Sequence, residues 1–150
     1  MRLLLADSNE LIRVGLKSTL SGLAEVHSIL EISSGKQLID FAQQGEVAVV
    51  LIDYTAEGFD IDHIIASLRL NPALKFIGLT YLQSPQTLVD ALRGGVMSYI
   101  KKDCDLQEIS DAVIETSKGN KFFCGKILET INKSNLDVDD IDHGVLTCDP

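Results

Sequence analysis

No two cysteines in this chain stand at CxxC spacing. Cys104, Cys124 and Cys148 are odd in number, which reads as a reduced, cytoplasmic set and excludes a disulfide framework. No apolar run is long enough for a membrane span. Leu3-Leu4-Leu5 ends at Ala6-Asp7, which is also too short for the core of a secretory signal. Positive charge is scarce, with 13 Lys and Arg against 22 Asp and Glu and a formal net charge of −9. Such a surface repels phosphate backbones, so this chain alone is not expected to grip DNA. Internal repeats and low-complexity tracts are missing. His27, His63 and His143 have no metal-ligand spacing, and His27 and His63 read as structural or solvated. What remains is an ordinary domain: 150 residues, 45% apolar, enough for a core of its own.

Strand and helix signals alternate along the chain. Short apolar runs at Arg2–Ala6, Ala24–Leu30, Val47–Ile52, Phe76–Thr80 and Val96–Lys101 read as strands. Val47–Ile52 is uninterrupted, as expected of a central strand covered on both faces. Between the runs lie helical patterns with start signals: Ser34 and Gln37 as a capping box, Asp60 as a cap, Ser84-Pro85, and Asp105 with Glu108. Asn71-Pro72 and Gly94-Gly95 act as stops. Five successive strand–helix units predict an α/β, doubly wound five-stranded parallel sheet. An extra C-terminal helix is expected within Phe122–Ile131. Residues 1–120 read as the domain, and 121–150 as that helix plus an acidic linker over Asp137–Asp142.

In such sheets ligands bind beyond the carboxyl ends of the strands. The residues there are Asp7 and Ser8, Asp53 to Thr55, Thr80 and Tyr81, and Lys101 and Lys102. Asp7 and Asp53 would end adjacent strands, where two carboxylates repel unless a cation lies between them. A hard ion such as Mg²⁺ suits oxygen ligands. A carboxylate can also attack a phosphoryl group to give an acyl phosphate. That chemistry needs charge neutralisation and positioning more than proton transfer. Lys102 can supply the fixed charge and Thr80 a hydroxyl donor.

The segments Leu5–Leu16, Val49–Asp53 with Gly58, Thr80, Tyr99 and Lys102-Asp103 occur in order. Together they resemble the receiver domains of NarL/LuxR-class response regulators over roughly residues 2–118. The resemblance implies a flavodoxin-like, CheY-like fold with strand order 2-1-3-4-5. It also implies Mg²⁺-dependent phosphorylation by a sensor histidine kinase in two-component signalling, with control of a DNA-binding output domain. By matched position, Asp53 is the phosphorylation site and a metal ligand, Asp7 a metal ligand, and the Thr55 carbonyl the backbone ligand. Lys102 and Thr80 contact the phosphoryl oxygens. Tyr99 is the switch aromatic, expected to swing from exposed to buried on activation. Thr55 and Leu82 flank the site. The surface Leu88–Glu108, formed by the fourth helix, fifth strand and fifth helix, is the expected partner or homodimer face.

Several positions depart from the family pattern. Ser8 stands where a second acid normally ligates the metal directly, which predicts weak Mg²⁺ binding; Glu10 lies nearby at the start of a helix. Glu57 replaces a common proline, and Tyr81 replaces a small residue and could crowd the entrance. These favour an alternative, a degenerate receiver acting as a phosphorylation-independent interaction or dimerisation module. Enzyme readings lack their motifs. There is no glycine-rich turn or Ser/Thr-rich phosphate loop after the first strand, and no acid two residues beyond Asp53. The chain is therefore expected to be no enzyme, and to be a fragment of a longer regulator.

Overall fold

A computed structural model describes residues 1–81 and 83–133. Leu82, His143, Cys148 and the acidic run at 137–142 lie outside the described residues, so what was expected of them is not addressed by the structure. The strands are β1 (Arg2–Ala6), β2 (Ser28–Ile32), β3 (Val49–Ile52), β4 (Lys75–Thr80) and β5 (Ser98–Lys101). The helices are α1 (Glu10–Leu20), α2 (Gly35–Gln43), α3 (Ile61–Leu70), α4 (Pro85–Arg93), α5 (Leu106–Ser117) and α6 (Gly125–Lys133). All strand pairings are parallel, in the order β2-β1-β3-β4-β5. This is the doubly wound sheet and strand order that the sequence implied.

Side chains alternate between the two faces of a strand. Every residue of β3, and all but the first of β1 and β4, is buried. Both faces of the sheet centre are therefore covered, and each fully buried Leu or Ile there contributes about 1.5–3 kcal/mol. The edge strand β2 begins at Ser28 rather than Ala24 and alternates exposed with half-buried residues. The apolar residues Ala24 and Val26 belong to the turn before it.

Caps set where the helices start. Asn9 accepts from the Leu11 and Ile12 amides and opens α1. Ser34, Ser84 and Asp105 accept from Gln37, Thr87 and Glu108. Asp60 and His63 form a reciprocal capping box, so His63 is structural. His27 has its Nδ1 3.0 Å from the chain's amino terminus.

The core does not stop at residue 120. Phe122, Phe123, Cys124, Ile127 and Ile131 are buried and belong to the same cluster as the sheet. The Tyr99 amide donates to the Phe122 carbonyl at 2.9 Å, and a parallel bridge pairs Tyr99 with Phe123. Residues 122–124 thus cover the outer edge of β5, and α6 packs beside it. The expected partner face at Leu88–Glu108 has its strand edge occupied by the chain itself.

Candidate functional site

Strand register assembles the site. Ala6 pairs with Ile52, and the Asp53 amide donates to the Ala6 carbonyl at 3.0 Å. Asp7 and Asp53 therefore leave neighbouring strands at one level. Thr80 pairs with Lys101, and the Lys102 amide donates to the Thr80 carbonyl at 2.7 Å. This directs Lys102 toward the acids. Its Nζ lies 2.8 Å from Asp7 Oδ2 and 2.6 Å from Asp53 Oδ2.

Each carboxylate has its other oxygen held. Asp7 Oδ1 accepts from the Asn9 amide at 2.8 Å. Asp53 Oδ1 accepts from the Thr55 amide at 2.9 Å and the Thr55 hydroxyl at 2.5 Å. Arg13 donates to the Asp7 carbonyl at 2.6 Å and to Glu31 at 3.2 Å, fastening the end of β1 to β2. Both acids are about 95% buried, Asp7 being 4% and Asp53 5% exposed. Two carboxylates and one ammonium leave one negative charge out of contact with water, a costly arrangement without a further cation. The residual charge and the all-oxygen donor set of Asp7, Asp53 and the Thr55 carbonyl fit a hard ion such as Mg²⁺. Ser8 is exposed and brings no charge. Burial alone would lower the Lys102 pKa. The hydrogen bonds and charges of Asp53 and Asp7 outweigh it, so the ammonium titrates above its ordinary range.

Behind the acids runs a chain of hydroxyls. Thr80 Oγ1 lies 2.7 Å from Tyr99 Oη and donates to the Tyr81 carbonyl at 2.7 Å. Tyr99 Oη is 2.9 Å from Tyr54 Oη, which also donates to the Thr87 carbonyl in α4 at 3.2 Å. The two tyrosine rings meet edge to face, with centroids 6.2 Å apart. Burial, and then the neighbouring phenol, raises the Tyr54 pKa well above the usual tyrosine value. Burial also raises that of Tyr99, against the lowering effect of its hydrogen bonds to Thr80 and Tyr54.

The structure brings Asp7, Asp53, Thr55 and Lys102 together, with Thr80 and Tyr99 as a second group behind them. One expectation needs correcting. Tyr99 is not exposed: the residue is 1% exposed. Tyr81, expected to crowd the entrance, is mostly exposed, and the Lys102 ammonium sits 5.2 Å from its ring centroid, a cation–π contact at the mouth of the pocket.

Three contributors were missed in the sequence. Tyr54 follows Asp53, and its hydroxyl reaches that of Tyr99. Arg13 sits one turn into α1. Gly78 lies directly opposite Tyr99 in the β4–β5 register. A Cβ on Gly78 would stand 2.7 Å from the Tyr99 ring, so glycine makes the room in which that ring lies. A glycine inside a central strand is the signal that could have revealed it, because it marks close approach.

Comparisons with known proteins agree with this architecture. The family model for the response regulator receiver domain matches residues 3–114. Response regulator protein VraR of Staphylococcus aureus is 31% identical over 131 residues, covering 85% of this chain and 62% of that protein. The chain thus spans less than two thirds of the length of that relative. A two-component response regulator of the LuxR family from Aurantimonas sp. shares the fold with a TM-score of 0.82 at 17% identity, over 91% of this chain and 98% of that one. The isolated REC domain of RcsB from Salmonella enterica serovar Typhimurium, solved with the phosphomimetic BeF3⁻, gives 0.78 at 22% identity over 87% and 97%. Among the described residues no helix is long and apolar enough to cross a membrane. The parallel sheet, the acids it aligns and the family match over most of the chain lead to one conclusion: the chain belongs to the response regulator receiver domain family.

Proposed function

We propose that Asp53 accepts a phosphoryl group from a phosphohistidine on a sensor kinase, and that the chain passes this signal to a DNA-binding output domain of a longer regulator. The observation that carries the reading is the division of labour on Asp53. Thr55 holds Oδ1 with two hydrogen bonds, while Oδ2 faces the Lys102 ammonium at 2.6 Å. One oxygen is oriented and the other is left as the nucleophile. It attacks phosphorus as the P–N bond to the histidine breaks, and the bonding pair leaves on that nitrogen. Lys102 and the Thr80 hydroxyl then hold the phosphoryl oxygens. Asp7, Asp53 and the Thr55 carbonyl would hold Mg²⁺, which supplies neutralisation of the charge on the transferring group. The protein is an acceptor in this reading rather than an enzyme, and its setting is cytoplasmic.

Intact mass after incubation with acetyl phosphate and Mg²⁺ tests it. The parent should gain one phosphoryl group and Asp53→Ala none. A phosphorylated species that persists in Asp53→Ala would show that the acceptor lies elsewhere.

A second reading, a phosphorylation-independent interaction module, is favoured by one observation. The Thr80 hydroxyl already has partners in Tyr99 and the Tyr81 carbonyl, and Tyr99 is already inside. A ligand shifts an equilibrium only by its differential affinity for two states. On this reading, beryllofluoride with Mg²⁺ would leave the chemical shifts of α4, β5 and α5 unmoved. On the first they move in the parent and stay put in Thr80→Ala.

A further inference from the structure

Away from the phosphoacceptor pocket, a sulfur cluster joins three elements. Cys104 lies in the loop between β5 and α5, two residues beyond Lys102. Glu108 is in the first turn of α5. Cys124 ends the segment that covers the edge of β5. One ligand atom from each, two thiol sulfurs and a carboxylate oxygen, lie within 4.8 Å of one another. We propose that Cys104, Glu108 and Cys124 form a binding site for a thiophilic divalent cation of the Zn²⁺ type, distinct from the oxygen site at Asp53.

The donor set suits that class of ion. Zn²⁺ takes sulfur at about 2.3 Å and carboxylate oxygen at about 2.0 Å in tetrahedral geometry, which places neighbouring donors roughly 3.5–3.8 Å apart. Closing the cluster therefore requires movements of about an ångström or less, within reach of side-chain rotation. A water would complete the fourth position. Mg²⁺ has no preference for sulfur, so chemistry separates the two sites.

The backbone around the donors is fixed. The Cys104 amide donates to the Lys101 carbonyl at 3.1 Å, and the Glu108 amide to Asp105 at 2.9 Å. The Cys124 carbonyl accepts from the Ile127 and Leu128 amides at 3.0 Å each, as the start of α6. Cys124 is fully buried and Cys104 nearly so. Burial, then the neighbouring Cys124 thiol, pushes the Cys104 thiol up to about 12. Without an ion the Cys104 sulfur keeps its proton. On binding, two S–H bonds become two metal–sulfur bonds, and two protons go to solvent. The ion would tie the β5 edge cover and α6 to the loop that carries Lys102. A second link already lies close by, where Lys126 Nζ stands 4.0 Å from Asp103 Oδ2.

Titration of the full reduced chain with Co²⁺ tests the proposal, in an Asp53→Ala background so that the oxygen site contributes less. The expected result is one ion per chain, with thiolate-to-metal charge-transfer bands and the visible bands of a tetrahedral ion. Zn²⁺ should abolish them and excess Mg²⁺ should not. Cys104→Ser and Cys124→Ser should lose the charge-transfer bands, and Cys148→Ser should keep them. Because Cys124 is in the core, Glu108→Gln serves as the gentler variant. It should fold, keep sulfur ligation and weaken Co²⁺ binding at least about tenfold. The proposal is overturned if the parent shows no sulfur bands, if they survive Cys104→Ser, or if Glu108→Gln binds as tightly as the parent. It is equally overturned if the chain binds no Co²⁺ but is cross-linked between Cys104 and Cys124 by diamide, which would make the pair a redox link.

Discussion

Two polar groups stand side by side at the carboxyl ends of β1, β3, β4 and β5, and their electrostatic states are opposite. In the pocket of Asp7, Asp53 and Lys102, two buried carboxylates share one ammonium, so a negative charge is left over. In the chain from Tyr54 through Tyr99 to Thr80, every hydroxyl is neutral and has a partner between 2.7 and 3.2 Å away. The first group holds unanswered negative charge and, on the proposed function, would gain by taking a cation or exchanging contacts around a phosphoryl group. The second is satisfied, and moving any member leaves a buried polar atom without a partner, at about 1–3 kcal/mol. Ligand entry therefore relieves the first group and can only strain the second. Thr80, whose carbonyl accepts from the Lys102 amide and whose hydroxyl meets Tyr99, joins the two groups.

The largest expected effect breaks the charged group. Lys102→Ala leaves Asp7 and Asp53 as buried like charges. Without divalent cation it should lower unfolding free energy by about 3 kcal/mol, as removal of one member of a buried charge cluster does. Mg²⁺ should restore much of that loss, because it answers the same charge. Urea unfolding with EDTA and with Mg²⁺ measures both. If Lys102→Ala is as stable as the parent in EDTA, the pocket is not under charge stress.

Next comes the satisfied group. Gly78→Ala puts a methyl 2.7 Å from the Tyr99 ring and should displace it. Overpacking of this kind costs about 1–3 kcal/mol. Nitration with tetranitromethane, mapped by mass spectrometry, should reach Tyr99 in the variant and spare it in the parent. Equal protection in both would mean that the space is looser than the contacts imply.

The two groups were unequally legible in the sequence. Asp7, Asp53 and Lys102 each follow a readable strand and Thr80 ends one, and parallel register then carries them to one place. Strand endings and charge were enough to find them. The state of Tyr99 was not readable that way. Whether its ring is in or out depends on a glycine across the ladder, on Tyr54 from another strand end, and on Phe122 and Phe123 from beyond the expected domain edge. These are contacts between residues distant in sequence, and no periodicity records them. β2 was displaced for a related reason. At a sheet edge the apolar pattern is weak, so Ala24 and Val26 read as strand although they lie in a turn.

A change of about tenfold, roughly 1.4 kcal/mol, is expected from Ser8→Asp on Mg²⁺ affinity. The substitution adds a third carboxylate beside a pocket that already holds excess negative charge. It should tighten the cation while destabilising the cation-free chain slightly. NMR titration with Mg²⁺ decides it, and unchanged affinity would mean that residue 8 does not reach the ion.

The smallest effect tests how tightly the satisfied group is held. Tyr54→Phe removes the hydroxyl that links Tyr99 to the Thr87 carbonyl, leaving Tyr99 with Thr80 alone. One net hydrogen bond is worth about 1 kcal/mol, so the stability loss should be of that size. The pH dependence carries a clearer signature. Both phenols have folded-state pKa values raised above the ordinary 10.0. The folded state therefore prefers the neutral forms. Their contribution is fully present below pH 10.0 and is lost as pH climbs above it, because the unfolded chain can release protons that the folded chain holds. Removing Tyr54 deletes one of the two groups, so stability in Tyr54→Phe should fall less steeply across that alkaline range. With its tether to α4 gone, Tyr99 should also move more readily, and the shift changes of α4 and β5 on adding beryllofluoride should be larger than in the parent. If the alkaline slope and the beryllofluoride response are both unchanged, Tyr54 does not restrain Tyr99. The coupling between the pocket and the tyrosines would then rest on Thr80 alone.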